Sequence, residues 1–397
     1  MPYTIEPLRK NQAIPSFHKL LAPVYRILLH TPLLESKGDR PLQMEFEHQL
    51  KALIFYHLEE YSSGSHLVQA LEEDDFAKNV IAPPNGIKKS SFSEAVNHRG
   101  LEQLLYIFEK LQADATHTLP KEYAHLGDLV SIDGSLIDAV LSMHWADYRN
   151  SSKKAKAHLG FNVNNSIPQK IFLTDGTCPT MSFRREGDER PFVSKILSPG
   201  QTGIMDRYYQ CHKDFDLWQT ERKHFVCRIK KRTHKTLIET SPVSSGSIVF
   251  YDATVLLGTP NINQTKKPVR LVGYRVDGKK YWVATDRYDI TAEEVACIYT
   301  LRWDIEIFFG WWKRHLKVYH LIARSQYGLM VQILGGLITY LLIAMYCHNN
   351  FNERVSIKRV RELRIKIKNE ASSFDFLAGR YQSNSRKLKK DFAYAKT

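Results

Sequence analysis

The 397-residue sequence predicts an α/β protein: an α/β core interrupted by a β-rich insertion, preceded by a helical domain and followed by a basic tail. Residues 1 to about 120 show helical periodicity. From about residue 126, strand-like apolar runs alternate with helical stretches, and between about 236 and 286 turn-separated β-rich runs follow one another. A long helical region is then predicted from about Thr291 to Asn349. Strands followed by helices, with a late β-rich block, are typical of an interrupted α/β core.

The predicted domains are 1–120, which is helical, 121–350, which holds the core and the insertion at about 236–286, and 351–397, the basic tail. Within the first, we expect a short helix capped by Ser90 or Ser91. It would project the basic side chains of Lys88, Lys89, His98 and Arg99. Such a helix is typical of helix-turn-helix modules that read DNA, and equally of an ordinary surface helix.

The chain is strongly basic. It has 56 Lys and Arg against 42 Asp and Glu, a net charge of +14, and a pI of about 9.3. A surplus of this size in a core-rich protein indicates a polyanionic partner, either nucleic acid or an anionic membrane. Residues 353–397 carry 13 Lys and Arg against 5 Asp and Glu. The tail is therefore either a solvated helix or a phosphate- or partner-contacting segment, and its alternating run at 355–368 fits a strand or an amphipathic helix.

The sequence predicts a cytoplasmic protein without a membrane span. Its five cysteines are odd in number and show no Cys-x-x-Cys spacing, which fits a reducing compartment. The N-terminal residues lack the apolar core of a signal peptide. The apolar run at 329–347 is long enough to cross a bilayer, but it contains Gln332 and two central glycines, so we expect a buried core helix.

The segment at 298–317, IYTLRWDIEIFFGWWKRHLK, is the most informative for chemistry. On one continuous helix with Thr291 as N-cap, four polar residues fall within a sector of roughly 60°: Tyr299, Arg302, Glu306 and Lys313. The apolar residues between them form a predicted buried stripe of Leu301, Ile305, Phe308, Phe309 and Trp312. A carboxylate among phosphate-binding cations suits a divalent metal, although an Arg–Glu pair on a solvated face has the same spacing.

A metal site needs further carboxylates. Asp133 and Asp206 each end an apolar strand-like run, and carboxylates at the ends of core strands can converge on one site. Two or three carboxylates around Mg²⁺ are the minimum for two-metal phosphoryl transfer. Each of these aspartates could instead serve a turn or a cap. Asp252, inside the β-rich block, is a rival for the second position.

The spacing Tyr299-x₂-Arg302-x₃-Glu306-x₆-Lys313 resembles the Tyr-Arg-Glu-Lys signature of DDE transposases of bacterial insertion sequences, in the group called IS family four. Upstream segments match in order: SIDGS around Asp133, KAHLGFN, MDRYY around Asp206, FVCRIK, and WVATD at the end of the insertion. The resemblance covers about residues 125–350. It implies a ribonuclease-H-like core and identifies the helical domain as the part that recognises the transposon ends.

The resemblance also implies roles for individual residues. Asp133, Asp206 and Glu306 would form a metal-binding catalytic triad with two Mg²⁺ ions, for which Mn²⁺ substitutes. Arg302 and Lys313 would hold the phosphate near the scissile bond, and Tyr299 would contact DNA beside it. Trp282 would stack on a flipped base during hairpin formation, although a strand Trp is as often part of the core. His158 is expected to be structural, close to DNA through Lys156.

The implied function is cut-and-paste transposition. The enzyme would bind the terminal inverted repeats as double-stranded DNA, nick them in a metal-dependent step, form and resolve a hairpin, and transfer the strand into target DNA. Synapsis of two ends implies a homodimer. Two alternatives stay open: a domesticated or inactive relative that regulates by binding DNA, and a ribonuclease-H-like nuclease without strand transfer.

Overall fold

The structure is a computed structural model that describes residues 16–35, 41–149, 152–175, 189–316 and 320–371. Contacts divide the chain into two compact units, one formed by 1–114 with 314–397 and one by 115–313. In these described ranges the α-helices are α1 Ser16–Leu28, α2 Phe46–Leu58, α3 Gly64–Glu73, α4 Lys89–His98, α5 Leu101–Thr118, α6 Arg190–Ile196, α7 His212–Thr220, α8 Ala292–Thr300, α9 Trp303–His315, α10 Gln326–Phe351 and α11 357–371.

The first unit is helical and is built around α10. This helix packs against α2, α4 and α1, and 94% of its most apolar 18-residue window is buried. The interpretation as a core helix is therefore confirmed. Gln332, the polar residue within it, is fully buried, and its side chain bonds the carbonyl of His320 and the amide of Ile322.

Two local expectations concern this unit: the secondary structure of the segment from 355, and the cap of α4. The segment from 355 forms helix α11 over 357–371, so the helical alternative is correct and the strand alternative is wrong; residues 372–397 of the tail lie outside the described residues. The cap prediction for α4 is wrong, because the helix begins at Lys89 with Lys88 as N-cap and both serines lie inside it. Lys88, Lys89 and His98 are exposed, but Arg99 is buried.

The second unit contains one mixed sheet. Its strands are β1 Leu129–Ala139, β2 Asp147–Arg149, β3 Ser152–Asn162, β4 Ile167–Thr174, β5 Thr202–Met205, β6 His224–Arg228, β7 Lys235–Thr240, β8 Val249–Leu257, β9 Val269–Val276 and β10 Lys279–Thr285. Their order is β2-β3-β1-β5-β6-β10-β9-β8-β7, with β4 also paired to β3. The predicted α/β class is confirmed.

The direction of pairing changes across this sheet. β3 is antiparallel to β1, β2 and β4, whereas β1, β5 and β6 run parallel to one another. The β-rich block then adds β7 to β10 as an antiparallel extension, since β10 pairs with β6. The insertion therefore continues the same sheet rather than folding as a separate layer.

The two faces of the sheet are covered by different helices. On one face, α8 packs through Val295, Ile298 and Tyr299 against strand residues that include Leu129 and Ile204. On the other face, α6 and α7 pack against a second cluster, with Val193, Phe215 and Trp218 among its buried residues. Because side chains alternate along a strand, each position of β1 is assigned to one of these faces.

The predicted helical region from about Thr291 to Asn349 contains α8, α9 and most of α10. The placement of 298–317 on one continuous helix from Thr291 is wrong. α8 and α9 are separated by a turn at Leu301 and Arg302, where backbone N–H groups bond carbonyls three residues back. The Oγ of Ser131 also donates to the carbonyl of Arg302 at 3.4 Å, which holds the turn against β1. The predicted cap is confirmed, since Thr291 forms a capping box with Glu294. The buried stripe is confirmed for Ile305, Phe308, Phe309 and Trp312.

His57 predicts a pH-dependent stability of the helical unit. Its ring is fully buried, with Nδ1 at 2.6 Å from the carbonyl of Leu316 and Nε2 at 3.0 Å from that of Gln332. Burial lowers its pKa to about 4, and the two carbonyls only partly oppose this shift. In the unfolded chain the pKa of His57 is near 6.5, so the unfolded chain binds the proton more readily than the folded protein does. Stability therefore falls as pH drops from about 6.5 to 4, by on the order of 3 kcal/mol.

Urea unfolding at pH 7 and pH 5 checks this expectation. His57→Gln removes the titrating group, so the loss of stability between the two pH values should be smaller than in the natural protein. An unchanged loss would assign the effect to other histidines, such as His18 and His48, whose pKa values burial also lowers.

Candidate active site

Asp133 lies within β1, and Asp206 directly follows the neighbouring parallel strand β5. The expectation that Asp133 ends its strand is wrong, because β1 continues to Ala139 in its pairing with β3. In the pairing of β1 with β5, Ser131 is opposite Ile204. Two residues further along, the same register places Asp133 beside Asp206, which directly follows β5. Both side chains are half-buried. The strand pairing therefore brings together two carboxylates that stand 73 positions apart in the sequence.

The environment of Asp133 disfavours its charged form. Its pKa is raised to about 6, mainly by burial and in addition by the negative charges of Asp206 and Glu306. The backbone N–H of Gly134, which donates to Oδ1 at 2.8 Å, and the guanidinium of Arg302 act in the opposite direction. The carboxyl groups of all three predicted triad members thus interact electrostatically at Asp133.

Glu306 reaches this region from α9. Asp133 shares a face of β1 with Ser131, whose hydroxyl contacts the turn before α9, and the ring of Phe308 packs 4.9 Å from that of Phe161 on β3. Glu306 accepts a hydrogen bond from the Nη1 of Arg302 at 2.6 Å. The i, i+4 pair that the spacing allowed is therefore formed, and it lies beside the two aspartates.

The guanidinium of Arg302 carries a hydrogen-bond donor, its Nε, in addition to the Nη1 that is bonded to Glu306. Its guanidinium lies 5.9 Å from the ring centroid of Tyr299 and 5.3 Å from that of Trp303. Its Nε is buried without a hydrogen-bond partner among the described residues. An arginine held by stacking and one carboxylate, with a donor left over, can bind an incoming oxyanion.

Lys313 and Tyr299 occupy different surroundings. The Nζ of Lys313 donates to the carbonyl of Leu136 on β1 at 2.8 Å. Burial lowers the pKa of Lys313, while Asp138 and Asp133 raise it, so this ammonium also lies near the carboxylates. Tyr299 is buried in the cluster beneath α8, its ring 6.4 Å from that of Tyr281. Burial raises the pKa of its phenol.

Asp252, the rival for the second carboxylate, is buried in the insertion. Both of its oxygens bind the guanidinium of Arg270, at 3.0 and 2.8 Å. Arg270 in turn donates to the carbonyls of Arg287 and Ile290. This bidentate pair links β8 and β9 to the chain before α8, which is a structural role. The position beside Asp133 belongs to Asp206.

Trp282 lies on the face of the sheet that α6 and α7 cover, opposite to α8. It is partly buried against the core cluster of that face. The rings of Phe250 and Tyr251 contact it edge-on, at 5.4 and 5.2 Å, and the Nζ of Lys235 lies 4.3 Å from its ring centroid. The side chain is thus held in place by aromatic and cation–π contacts.

Lys156 and His158 lie on this same face, since they pair with Leu136 and Gly134 rather than with Asp133. His158 is buried, with its ring stacked 4.2 Å from that of Phe192 and its Nε2 3.0 Å from the Oγ1 of Thr174. This agrees with the expectation that it is structural. Its proximity to DNA stays a prediction.

A charged residue that the sequence analysis did not single out also lies here. Glu189 forms an ion pair with Lys156, and the pair packs against Gly134. A Cβ at Gly134 would lie 2.6 Å from the Cε of Lys156 and 3.0 Å from a carboxylate oxygen of Glu189. Nothing in the sequence around Glu189 indicates this proximity, because it depends on how α6 packs on β3 and β4.

The donor chemistry of the site suits a hard divalent cation, because carboxylate oxygens that repel one another are stabilised by such an ion. Among the residues that the structure describes, however, no three His, Cys, Asp or Glu side chains lie close enough to bind one ion. Asp133 and Asp206 are the pair that fits. Glu306 is paired with Arg302 through its Oε1, so the guanidinium holds the third carboxylate in the metal-free protein.

The raised pKa of Asp133 predicts how the stability of the metal-free protein depends on pH. The pKa of Asp133 is about 6 in the folded protein and 3.8 in the unfolded chain, so the folded protein binds this proton more tightly. The resulting contribution to the free energy of unfolding is fully present below about pH 3.8 and is lost as pH rises through 6. Asp133→Asn imitates the neutral form. We expect this variant to melt roughly 2–4 °C higher than the natural protein at pH 8 in EDTA, and to show no gain at pH 4.

Asp138→Asn provides the matched control, because Asp138 is exposed on the same strand and forms an ion pair with Lys154 at the surface. Exposed pairs contribute little to stability, so this variant should melt with the natural protein at both pH values. A melting temperature of Asp133→Asn that does not rise at pH 8 would contradict the assignment of charge repulsion at this site.

Comparison with known proteins identifies relatives of this chain. A family model described as "Transposase DDE domain" matches residues 125–342. A probable transposase for insertion sequence element IS5377 of Geobacillus stearothermophilus is 27% identical over 203 residues, which cover 50% of this chain and 51% of the relative. The putative transposase y4zB of Sinorhizobium fredii is 25% identical over 212 residues, or 52% of this chain and 57% of the relative.

A third relative is matched over a longer stretch. A putative transposase for insertion sequence element IS4SA of a Synechocystis species is 22% identical over 260 residues, or 64% of this chain and 71% of the relative. The chain thus spans about half the length of the first two curated relatives. Among solved structures, a piggyBac transposase in a synaptic complex with hairpin DNA is similar over 90% of this chain and 80% of that chain, at 10% identity and a TM-score of 0.44.

The family match covers 218 of 397 residues, from 125 to 342, and includes both aspartates, the insertion and the Tyr-Arg-Glu-Lys spacing. The resemblance to insertion-sequence transposases of family four is confirmed by these matches. The chain belongs to the transposase DDE domain family.

Proposed function

We propose that the protein is a cut-and-paste DNA transposase. The proposal depends on one observation above all: the register of parallel strands β1 and β5 places Asp133 beside Asp206, and Glu306 acts electrostatically on Asp133 within the stretch that matches the DDE family. In this function the protein binds the terminal inverted repeats of its element, nicks them, forms and resolves a hairpin, and transfers the freed strand into target DNA.

The core is proposed to be ribonuclease-H-like. The central strand order β4-β3-β1-β5-β6, with the first three strands antiparallel and the last two parallel to β1, supports this assignment. The β7–β10 block is then an insertion into the core. We further propose that residues 1–120 recognise the DNA ends and that the basic tail from 351 contacts DNA or a second subunit.

In this proposal Asp133, Asp206 and Glu306 hold two Mg²⁺ ions, with Mn²⁺ able to replace them. Bound there, the ions would activate the attacking water or 3′-hydroxyl and would stabilise the leaving oxygen. The carboxylates that hold them must be ionised, so the protonation of Asp133 near pH 6 opposes activity in acid. If Glu306 held an ion, the guanidinium of Arg302 would become available for another partner.

The cations around the triad are proposed to grip the DNA strand. Arg302, released from Glu306, can turn its guanidinium to the phosphate beside the scissile bond, and Lys313 adds a second positive charge from α9. Tyr299 supports Arg302 through ring stacking and contacts DNA next to it. Holding the reacting phosphate in line with its nucleophile is the main contribution of the protein in this chemistry.

The partners follow from this chemistry. The substrates are double-stranded transposon ends and target DNA, and the net charge of +14 favours their approach. Synapsis of two ends calls for a homodimer. The proposed location is the bacterial cytoplasm, at the nucleoid, with Lys156 and His158 near the DNA path.

Glu306→Gln tests the catalytic assignment. The amide keeps the shape and the bond to Arg302 but removes the negative charge, so we expect cleavage of DNA carrying the element's own ends to fall at least 100-fold, with binding within twofold of the natural protein. Cleavage in Mg²⁺ or Mn²⁺, followed on gels, provides the measurement. Glu293→Gln on α8, which is exposed, is the matched control and should cleave normally.

The outcomes of that assay separate the alternatives. Retained cleavage by Glu306→Gln would remove Glu306 from the triad. Tight binding by the natural protein with no cleavage in either metal would indicate a DNA-binding regulator. Cleavage that does not depend on the terminal repeats would indicate a nuclease without strand transfer.

Trp282→Phe and Trp282→Ala test the proposed stacking role in hairpin formation. Phe keeps a flat ring over Lys235, whereas Ala removes the ring together with its edge-on contacts to Phe250 and Tyr251. We expect nicking by both variants, and a hairpin yield that Ala lowers at least tenfold but Phe largely retains. The ratio of hairpin to nicked product is read on denaturing gels. Normal hairpin yield in Trp282→Ala would show that Trp282 serves only the core.

A further inference from the structure

A basic cavity opens in the sheet unit on the side of α6 and α7. Its volume is about 570 Å³, which equals roughly 20 water molecules at ~30 Å³ each. Four cationic side chains line it: Arg190, Lys213, Lys230 and Arg232. Of the described residues, no Asp or Glu lines the cavity. A concave wall with charges of one sign concentrates an electric field, so the cavity attracts anions.

The cavity is next to the proposed active site along the chain. Gln210, in its wall, is the fourth residue after Asp206, and Lys230 follows the end of β6. β5 and β6 are parallel to β1, so these segments leave the same edge of the sheet at which Asp133 and Asp206 lie. A polymer bound at the carboxylates can therefore continue into the cavity.

The floor of the cavity is a fixed hydrogen-bond network. Gln210 accepts a bond from the backbone N–H of Lys230 at 2.8 Å and donates to the Oγ1 of Thr233 at 2.9 Å. Thr233 donates to the carbonyl of Lys230. The Lys230–Thr233 turn, which carries Arg232, is thereby tied to the segment that follows Asp206.

His212 extends this network through both of its ring nitrogens. Its Nδ1 lies 2.7 Å from the carbonyl of Asn263, which can only accept, and its Nε2 lies 3.1 Å from the Nε2 of Gln210, which donates. Gly258 closes the floor with φ +103°, and a Cβ there would lie 2.4 Å from the Asn263 carbonyl. The hydrogen bonds of this network use the backbone of Lys230, and none of them uses the side-chain charge of Lys230 or Arg232.

We infer that this cavity binds the phosphodiester backbone of DNA, as a second contact separate from the phosphate at the triad. The inference rests on the proposed function for its ligand class. Cations suit phosphate groups, and Arg232 can bind two phosphate oxygens at once. Among the lining residues that the structure describes there is no Phe, Tyr or Trp, so we expect the cavity to bind backbone phosphates rather than to stack bases. Its binding is expected to be independent of DNA sequence.

The salt dependence of DNA binding, measured in EDTA, tests this inference. Each phosphate contact contributes about 0.9 to the slope of log K against log salt. The double variant Lys230→Ala/Arg232→Ala should therefore lower the slope by about two, and Lys230→Glu should weaken binding more than Lys230→Ala alone. Both residues are exposed, so the melting temperature should not change.

The matched control removes one lysine and one arginine elsewhere in the same unit. Lys121 and Arg222 are exposed, precede β1 and β6, and so lie towards the opposite edge of the sheet. Arg222 has φ 55°, which Asn tolerates. The variant Lys121→Ala/Arg222→Asn has the same net charge as the cavity variant, and its slope should match that of the natural protein.

Two duplexes distinguish the source of the DNA. A loss of slope only with a duplex carrying the element's terminal repeat assigns the cavity to transposon ends, and a loss with an unrelated duplex as well assigns it to any DNA backbone. An unchanged slope with both duplexes, or an equal loss in the control variant, overturns the inference. Because no metal is present and no cleavage is scored, this result is independent of whether the protein cuts DNA.

Discussion

Two carboxylates held side by side at the end of a buried sheet repel each other, and much of the surrounding structure limits that repulsion. The parallel pairing of β1 with β5 places Asp133 next to Asp206. The protein accommodates the charge with a backbone N–H at Gly134, the guanidinium of Arg302 and a raised pKa at Asp133. The site is therefore least stable when fully ionised, the state that favours a divalent cation most strongly.

Arg302 connects this cluster to the helices. It lies in the turn between α8 and α9, its carbonyl is held by Ser131, and its side chain bonds Glu306 and stacks near Tyr299 and Trp303. One residue thus joins a strand, two helices and the third carboxylate. In the metal-free protein the Arg302–Glu306 pair keeps both groups in place, and the proposed chemistry requires them to exchange partners.

The two faces of the sheet carry different groups of side chains. The face covered by α8 and α9 holds the carboxylates and the cations nearest to them. The face covered by α6 and α7 holds Trp282, the Lys156–Glu189 pair and the basic cavity. Because the strand ends are shared, a bound DNA strand can contact both faces at one edge of the sheet.

The sequence by itself determined the α/β class, the buried stripe of α9, the cap at Thr291, the buried character of α10 and the family, because periodicity, capping residues and motif spacing are local properties of the chain. The tertiary structure decided what depends on distant partners. The register of β1 with β5 put Asp206 beside Asp133, while Arg270 bound Asp252 and gave it a structural role. Contacts with Ser131 and three-residue backbone bonds broke the predicted helix at Arg302. The packing of α10 against α2 and α4 joined the C-terminal helices to the N-terminal ones, since a helix that is apolar on all sides carries no information about which elements will bury it.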